Sequence, residues 1–255
     1  MRRKHVLLTA MALIVLALTL TTGCEPQQET KDCVVMLGDS IFALSGEETK
    51  ALEALSGETY RQYYISGAQM TGGLLVDTIP KQYNKAIAEG PIRTVILDGG
   101  GNDVLIGAQR DCSTSYGTNL SRACHQVIDN VAAVTRTMLD KMVADGVENI
   151  VWQGYYYTDN DQLWQVLEVS TERAIADMQR FQAEHPQIKA IYVDVRPYFD
   201  KNNARRYTTW DGIHPTKATS ETLADVLWEA MVRNDIEQGV SCDGFNPGNG
   251  DGGCN

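Results

Sequence analysis

An α/β domain of three layers, a five-stranded parallel sheet between two layers of helices, is the fold class predicted by three features of this 255-residue chain. Short apolar or β-branched runs recur at 34–37, 63–65, 94–97, 150–152 and 190–195, each the length of a buried strand. Stretches with helical spacing lie between them. The strands are separated by connections long enough to hold a helix, so they pair in parallel through right-handed crossovers.

Taken in order, the chain opens on Arg2, Arg3 and Lys4, followed by an apolar run to Leu20 and then Thr21-Thr22-Gly23-Cys24. That layout of charged, apolar and small residues is a secretory leader, residues 1–23, and the apolar run is too short for a membrane span. The small residues before Cys24 resemble a bacterial lipoprotein signal, with Thr21 where such signals more often carry Leu. That resemblance implies acylation of Cys24 and a lipid anchor in the cell envelope. Cleavage without lipidation would instead give a soluble secreted or periplasmic protein. Residues 24–32 read as a polar tether and residues 33–236 as the folded domain.

The first strand run, 34–37, stops at Gly38-Asp39-Ser40, a turn that holds a hydroxyl at the carboxyl edge of the sheet, where open α/β folds place their chemistry. The second run leads into Gly67, and the third into Gly99-Gly100-Gly101-Asn102-Asp103. Two long helical stripes follow. Val127, Val131, Val134, Met138 and Met142 form one, and Trp164, Leu167, Ala174, Ile175, Met178 and Phe181 form the other. After the fifth run comes Trp210-Asp211-Gly212-Ile213-His214, then a last helix marked by Leu223, Leu227, Ala230 and Met231. The tail, 237–255, is rich in Gly, Asn and Asp. Its acidic spacing matches no calcium-loop pattern, and Cys242 with Cys254 closes it as a disulfide-stapled surface segment.

Charge and cysteines narrow the function classes. Loss of the leader's three basic residues takes the formal net charge from −11 to −14. So acidic a surface repels phosphate backbones and anionic headgroups, which argues against nucleic acid as a partner and leaves a possible lipid anchor as the only membrane contact. Six cysteines without a Cys-x-x-Cys spacing point to disulfides in an exported protein. Cys112 with Cys124 and Cys242 with Cys254 are the sequence-local pairs. With Cys24 lipidated, Cys33 is a buried free thiol; otherwise a Cys24 to Cys33 bridge makes the count even.

A serine hydroxyl needs a base within hydrogen-bond reach to act as a nucleophile. Of the histidines beyond the leader, His125 lies in a helical stripe and His185 at a helix end before Pro186. His214 lies in a loop that can carry an imidazole over the sheet edge, with Asp211 three residues earlier to hold the other ring nitrogen. Asn102 and the glycines at 67 and 99–101 offer donors for an oxyanion. Trp152, Tyr155, Tyr156, Tyr157 and Trp210 are candidates to line a substrate site, and the segment 104–115 its rim.

In order and spacing, Gly38-Asp39-Ser40, Gly67, Gly100-Gly101-Asn102-Asp103 and Asp211-Gly212-Ile213-His214 resemble the four sequence blocks of the SGNH hydrolases, the GDSL esterases and lipases. The first block ends Ser40-Ile41 where many members have Ser-Leu. The resemblance implies a flavodoxin-like fold, Ser40 as nucleophile, His214 as base held by Asp211, and an oxyanion hole of Ser40, Gly67 and Asn102. It also implies a carboxylic ester as substrate and no metal or organic cofactor. Within that class stand a general esterase, a carbohydrate O-deacetylase and a lysophospholipase or thioesterase. Outside it stands a surface-binding lipoprotein that keeps the fold without catalysis. No Gly-x-Ser-x-Gly elbow is present, which argues against an α/β-hydrolase.

Overall fold

The computed structural model describes residues 33–73, 75–115 and 118–236. The leader, the tether with Cys24, and the tail with Cys242 and Cys254 lie outside the described residues. Five strands, β1 (Val34–Leu37), β2 (Arg61–Gln62), β3 (Thr94–Leu97), β4 (Asn149–Gln153) and β5 (Lys189–Val193), form one sheet in the order β2-β1-β3-β4-β5. Every pairing is parallel. This is the flavodoxin-like order, whose direction reverses between β1 and β3 and opens a crevice at their carboxyl ends.

β1, β3 and β4 are buried along their whole length because helices cover both faces of the sheet, hence their unbroken apolar runs. Side chains alternate between the two layers. Val35, Leu37, Val95, Leu97, Ile150 and Trp152 face a core completed by α3 (Ile79–Glu89), α6 (Arg122–Ala144) and α7 (Trp164–Glu184). Val34, Met36, Ile96, Val151 and Val193 face α8 (Lys217–Arg233), which packs beside α2 (Glu47–Ser56). Three short helices, α1 (Ser40–Ala43), α4 (Gly101–Leu105) and α5 (Gln109–Cys112), sit just beyond the ends of β1 and β3. Among the described residues no helix is long and apolar enough to cross a membrane.

Three expectations are corrected. The second strand is Arg61–Gln62, just before the aromatic run at 63–65. As an edge strand it pairs on one side only, so polar residues serve. The run beyond it still follows β1, with Tyr63 N–H donating to Met36 O at 2.9 Å and Ile65 N–H to Gly38 O at 3.1 Å. Cys33 is disulfide-bonded and not a free thiol. The Cys112–Cys124 bridge is present, closing the 104–115 segment onto the first turn of α6. The last run ends at Val193, two residues earlier than expected.

Glu48, on α2, is fully buried, with the Gln153 amide as its polar neighbour. Burial pushes its carboxyl well above the usual carboxylate range. A group whose folded pKa is raised gives its full stabilisation below the unfolded pKa, about 4.3 for Glu, and loses it as pH rises toward the folded value. Glu48→Gln is therefore expected to raise stability more at pH 8 than at pH 5, by up to about 1.4 kcal/mol per pH unit over that window. Thermal melts of both proteins at the two pH values check this, and an equal shift at both contradicts it.

Candidate active site

β1 delivers the site through one turn. Gly38 lies at φ 151°, and a Cβ there would stand 2.1 Å from Asp98 Oδ1, so only glycine fits. Its backbone is held from both sides by Gln82 of α3: Gly38 N–H donates to Oε1 at 2.8 Å, and Nε2 donates to Gly38 O at 2.9 Å. Asp39, not Ser40, caps α1, accepting from Ile41 N–H at 3.0 Å. Ser40 is then the first residue of a helix, buried except for the end of its side chain. Its N–H has no acceptor among the described residues, as expected of a first-turn donor.

The other half comes from the segment before α8. Asp211 Oδ1 accepts from Thr209 Oγ1 at 2.9 Å, Ile213 N–H at 2.9 Å and His214 N–H at 3.0 Å, which winds the chain into a tight loop. Gly212, at φ 73° and within 2.9 Å of Asp159 were it to carry a Cβ, lets that loop close. Tyr156 pins it from the sheet side by donating to Ile213 O at 2.8 Å. The loop aims the imidazole at the Ser40 hydroxyl. His214 Nδ1 lies 2.6 Å from Asp211 Oδ2, and Nε2 lies 2.9 Å from Ser40 Oγ. Partial burial pushes the Asp211 carboxyl up, yet the hydrogen bonds from His214, Ile213 and Thr209 outweigh that and hold it well below the usual range. Asp211 thus stays an anion beside the ring and fixes its tautomer.

Gly67 and Asn102 sit on two neighbouring segments that are bound to each other. Asp103 is buried and accepts from Met70 N–H at 2.7 Å, Thr71 N–H at 2.9 Å and Thr71 Oγ1 at 2.5 Å. Asn102 spends one of its two amide hydrogens on Ala68 O at 3.0 Å, and Gln69 Nε2 donates to Asn102 O at 3.1 Å. These bonds hold the Gly67 turn and the Asn102 turn as one unit and leave the second Asn102 hydrogen free. Gly67, at φ 84°, gives its N–H to no acceptor among the described residues.

Sequence reasoning missed the residue that joins the halves. Tyr155, just beyond β4, donates to Asp39 Oδ2 at 2.8 Å and accepts from Gly101 N–H at 3.2 Å, so one hydroxyl ties the Ser40 turn to the Asn102 turn. Asp39 N–H donates in turn to Asp98 Oδ1 at 2.8 Å. Burial pushes both Asp39 and Asp98 up, Asp98 further because Asp39 is beside it. Tyr155 had been read only as a candidate lining residue, since its bond to Asp39 spans 116 positions. Trp152, Tyr155 and Tyr156 do line the cavity that Ser40 borders, while Tyr157 donates to Glu168 and Trp210 is 89% exposed. His125 is exposed, and His185 packs its ring on Phe181.

No protein-family model and no curated protein matches the sequence. Solved structures do match its fold. A GDSL-like lipase from Bacteroides thetaiotaomicron aligns at a TM-score of 0.52 with 16% identity, over 83% of this chain and 90% of that one. An acetylxylan esterase from Geobacillus stearothermophilus, solved as a catalytic mutant, aligns at 0.54 with 16% identity, over 77% and 92%. A lipase from a goat rumen metagenome aligns at 0.53 with 17% identity, over 77% and 96%. At these identities the likeness is one of fold, and the fold is that of the SGNH hydrolases.

Tyr155→Phe leaves one oxygen of a buried carboxyl group and one half-buried N–H without their bond. It is expected to lower stability by about 1–3 kcal/mol, read from the denaturant midpoint at constant slope. Tyr157→Phe, whose hydroxyl meets Glu168 at a part-exposed site, is expected to cost much less.

Proposed function

We propose that this chain, built on the SGNH-hydrolase fold, hydrolyses carboxylic esters through an acyl-enzyme on Ser40. The observation that carries the reading is the unbroken line from Asp211 Oδ2 through His214 to Ser40 Oγ, with contacts of 2.6 and 2.9 Å. These are distances at which a proton can pass from the hydroxyl to the ring as the oxygen attacks.

In this mechanism Ser40 Oγ adds to the ester carbonyl while His214 Nε2 takes its proton, and Asp211 stabilises the imidazolium. The oxyanion is met by the N–H groups of Ser40 and Gly67 and by the free hydrogen of Asn102 Nδ2. Collapse of the tetrahedral intermediate breaks the bond to the alcohol oxygen, which leaves with the proton from His214. Water then enters, gives a proton to His214, attacks the acyl carbon and releases the acid, returning the proton to Ser40.

The leader, together with disulfides at Cys33 and Cys112–Cys124, supports placement in an oxidising compartment outside the cytoplasm, and a bonded Cys33 favours the soluble secreted or periplasmic form over a lipid anchor at Cys24. Esters of carbohydrates and of lipids both fit an ester hydrolase there. Among proteins of like fold, one is an acetylxylan esterase and one a GDSL-like lipase.

Turnover of p-nitrophenyl acetate by the purified chain tests the reading. Ser40→Ala is expected to remove about 10⁴-fold or more of kcat, and Asn102→Ala about 10²- to 10³-fold while the protein stays folded. Wild-type turnover by Ser40→Ala overturns the assignment.

A further inference from the structure

The cavity that begins at Ser40 does not end there. Ser40 and Asn102 line one end of a cleft of about 450 Å³ that continues between α6 and α7. Both helices run back from the carboxyl edge of the sheet, so the cleft leads away from the nucleophile and down through the layer. Its floor is Trp152 of β4 and Tyr192 of β5, and its far end is Leu139 and Phe181. The lining on α6 runs from Val127 to Leu139, about 18 Å of helix at about 1.5 Å per residue.

The space exists because the side chains that face each other are small. Val131 on α6 and Ala174 on α7 belong to the inward stripes, Thr135 and Ser170 line the cleft beside them, and all four remain partly exposed. The charged side chains that α6 and α7 bring to the lining are Asp129, Arg136, Arg173, Asp177 and Arg180. Asp129 on α6 pairs with Arg173 on α7 at 3.1 Å, and Arg136 on α6 pairs with Glu184 on α7 at 2.6 Å, so two ion pairs cross the gap between the helices.

Resting on the reading of Ser40 as nucleophile, we infer that this cleft holds the acyl part of the substrate, and that the preferred esters carry an unbranched chain of about eight or more carbons. The size decides against acetyl. Such a volume lies within the roughly 300–1,000 Å³ range of small-molecule sites, whereas an acetyl group occupies about the room of two water molecules, near 60 Å³. The shape decides for a linear chain: the cleft is long, mostly apolar and bounded by two parallel helices, with Ser40 and Asn102 in its lining. An acyl chain with its carbonyl at Ser40 lies along Val131 and Ala174 toward Phe181.

The test is kcat/KM for p-nitrophenyl esters from acetate to dodecanoate, each below its aggregation concentration. Each added methylene is expected to raise kcat/KM about threefold to fourfold until the cleft is filled, so octanoate exceeds acetate by more than 100-fold. Acetate hydrolysed as well as or better than octanoate overturns the inference and leaves the nucleophile standing. Inactivity on every ester overturns both. Ala174→Phe is expected to lower the decanoate-to-acetate ratio at least tenfold, and an unchanged ratio in a folded variant contradicts the placement. Ser170→Leu serves if that protein does not fold. Lysophosphatidylcholine, a monoacylglycerol and a long-chain thioester bearing the same chain then distinguish its source. Hydrolysis of at least one is expected, and failure on all three, with the p-nitrophenyl ester cleaved, overturns a long acyl ester as substrate.

Discussion

The bond between the Tyr155 hydroxyl and the buried Asp39 carboxylate holds the rest of the site in register. β1 brings Asp39 and Ser40, β3 brings Gly101 and Asn102, and β4 brings Tyr155, so one hydroxyl gathers the ends of three adjacent strands. Asp39 acts three times over: it caps the helix that starts at Ser40, receives Tyr155, and sends its own N–H to Asp98. In a water-poor setting these bonds are electrostatically strong, and each is costly to leave unmade. Ser40 therefore sits on a turn with little freedom, while His214 comes from a loop that Asp211 folds on its own.

This arrangement concentrates buried acid groups beneath the nucleophile. Asp39, Asp98 and Glu48 are all enclosed, and burial raises each of them, whereas Asp211 on the solvent side is lowered by its donors. The two environments separate the roles: a single anion faces the imidazole, and the acids below are pushed toward their neutral forms. The Gly67–Asn102 side is built by the same logic, with the donors of Met70 and Thr71 consumed by Asp103 while the N–H of Gly67 and one Asn102 amide hydrogen stay unspent.

Much of this was legible in the sequence, for reasons that differ by element. β1 and β3 match their apolar runs residue for residue, because burial on both faces writes a continuous signal. Asp211 and His214 were legible because their bond is local, three residues apart. β2 was displaced because an edge strand needs no apolar sequence. Tyr155 with Asp39, Gln82 with Gly38 and Asp103 with Met70 were illegible as pairs, since nothing in sequence spacing foretells which distant polar groups the crossovers bring together. The cleft is the instructive miss. Val131 and Ala174 read as core, and they do lie on the core face, but their small size leaves a gap there that periodicity does not record.

The central claim is that the fold presents Ser40 as a nucleophile activated by His214. The most direct measurement is reaction with a fluorophosphonate probe followed by mass spectrometry of the peptides. The account predicts one adduct, on Ser40, formed far more slowly in His214→Ala. An adduct on another residue, or labelling of Ser40 at an unchanged rate without the imidazole, would contradict it.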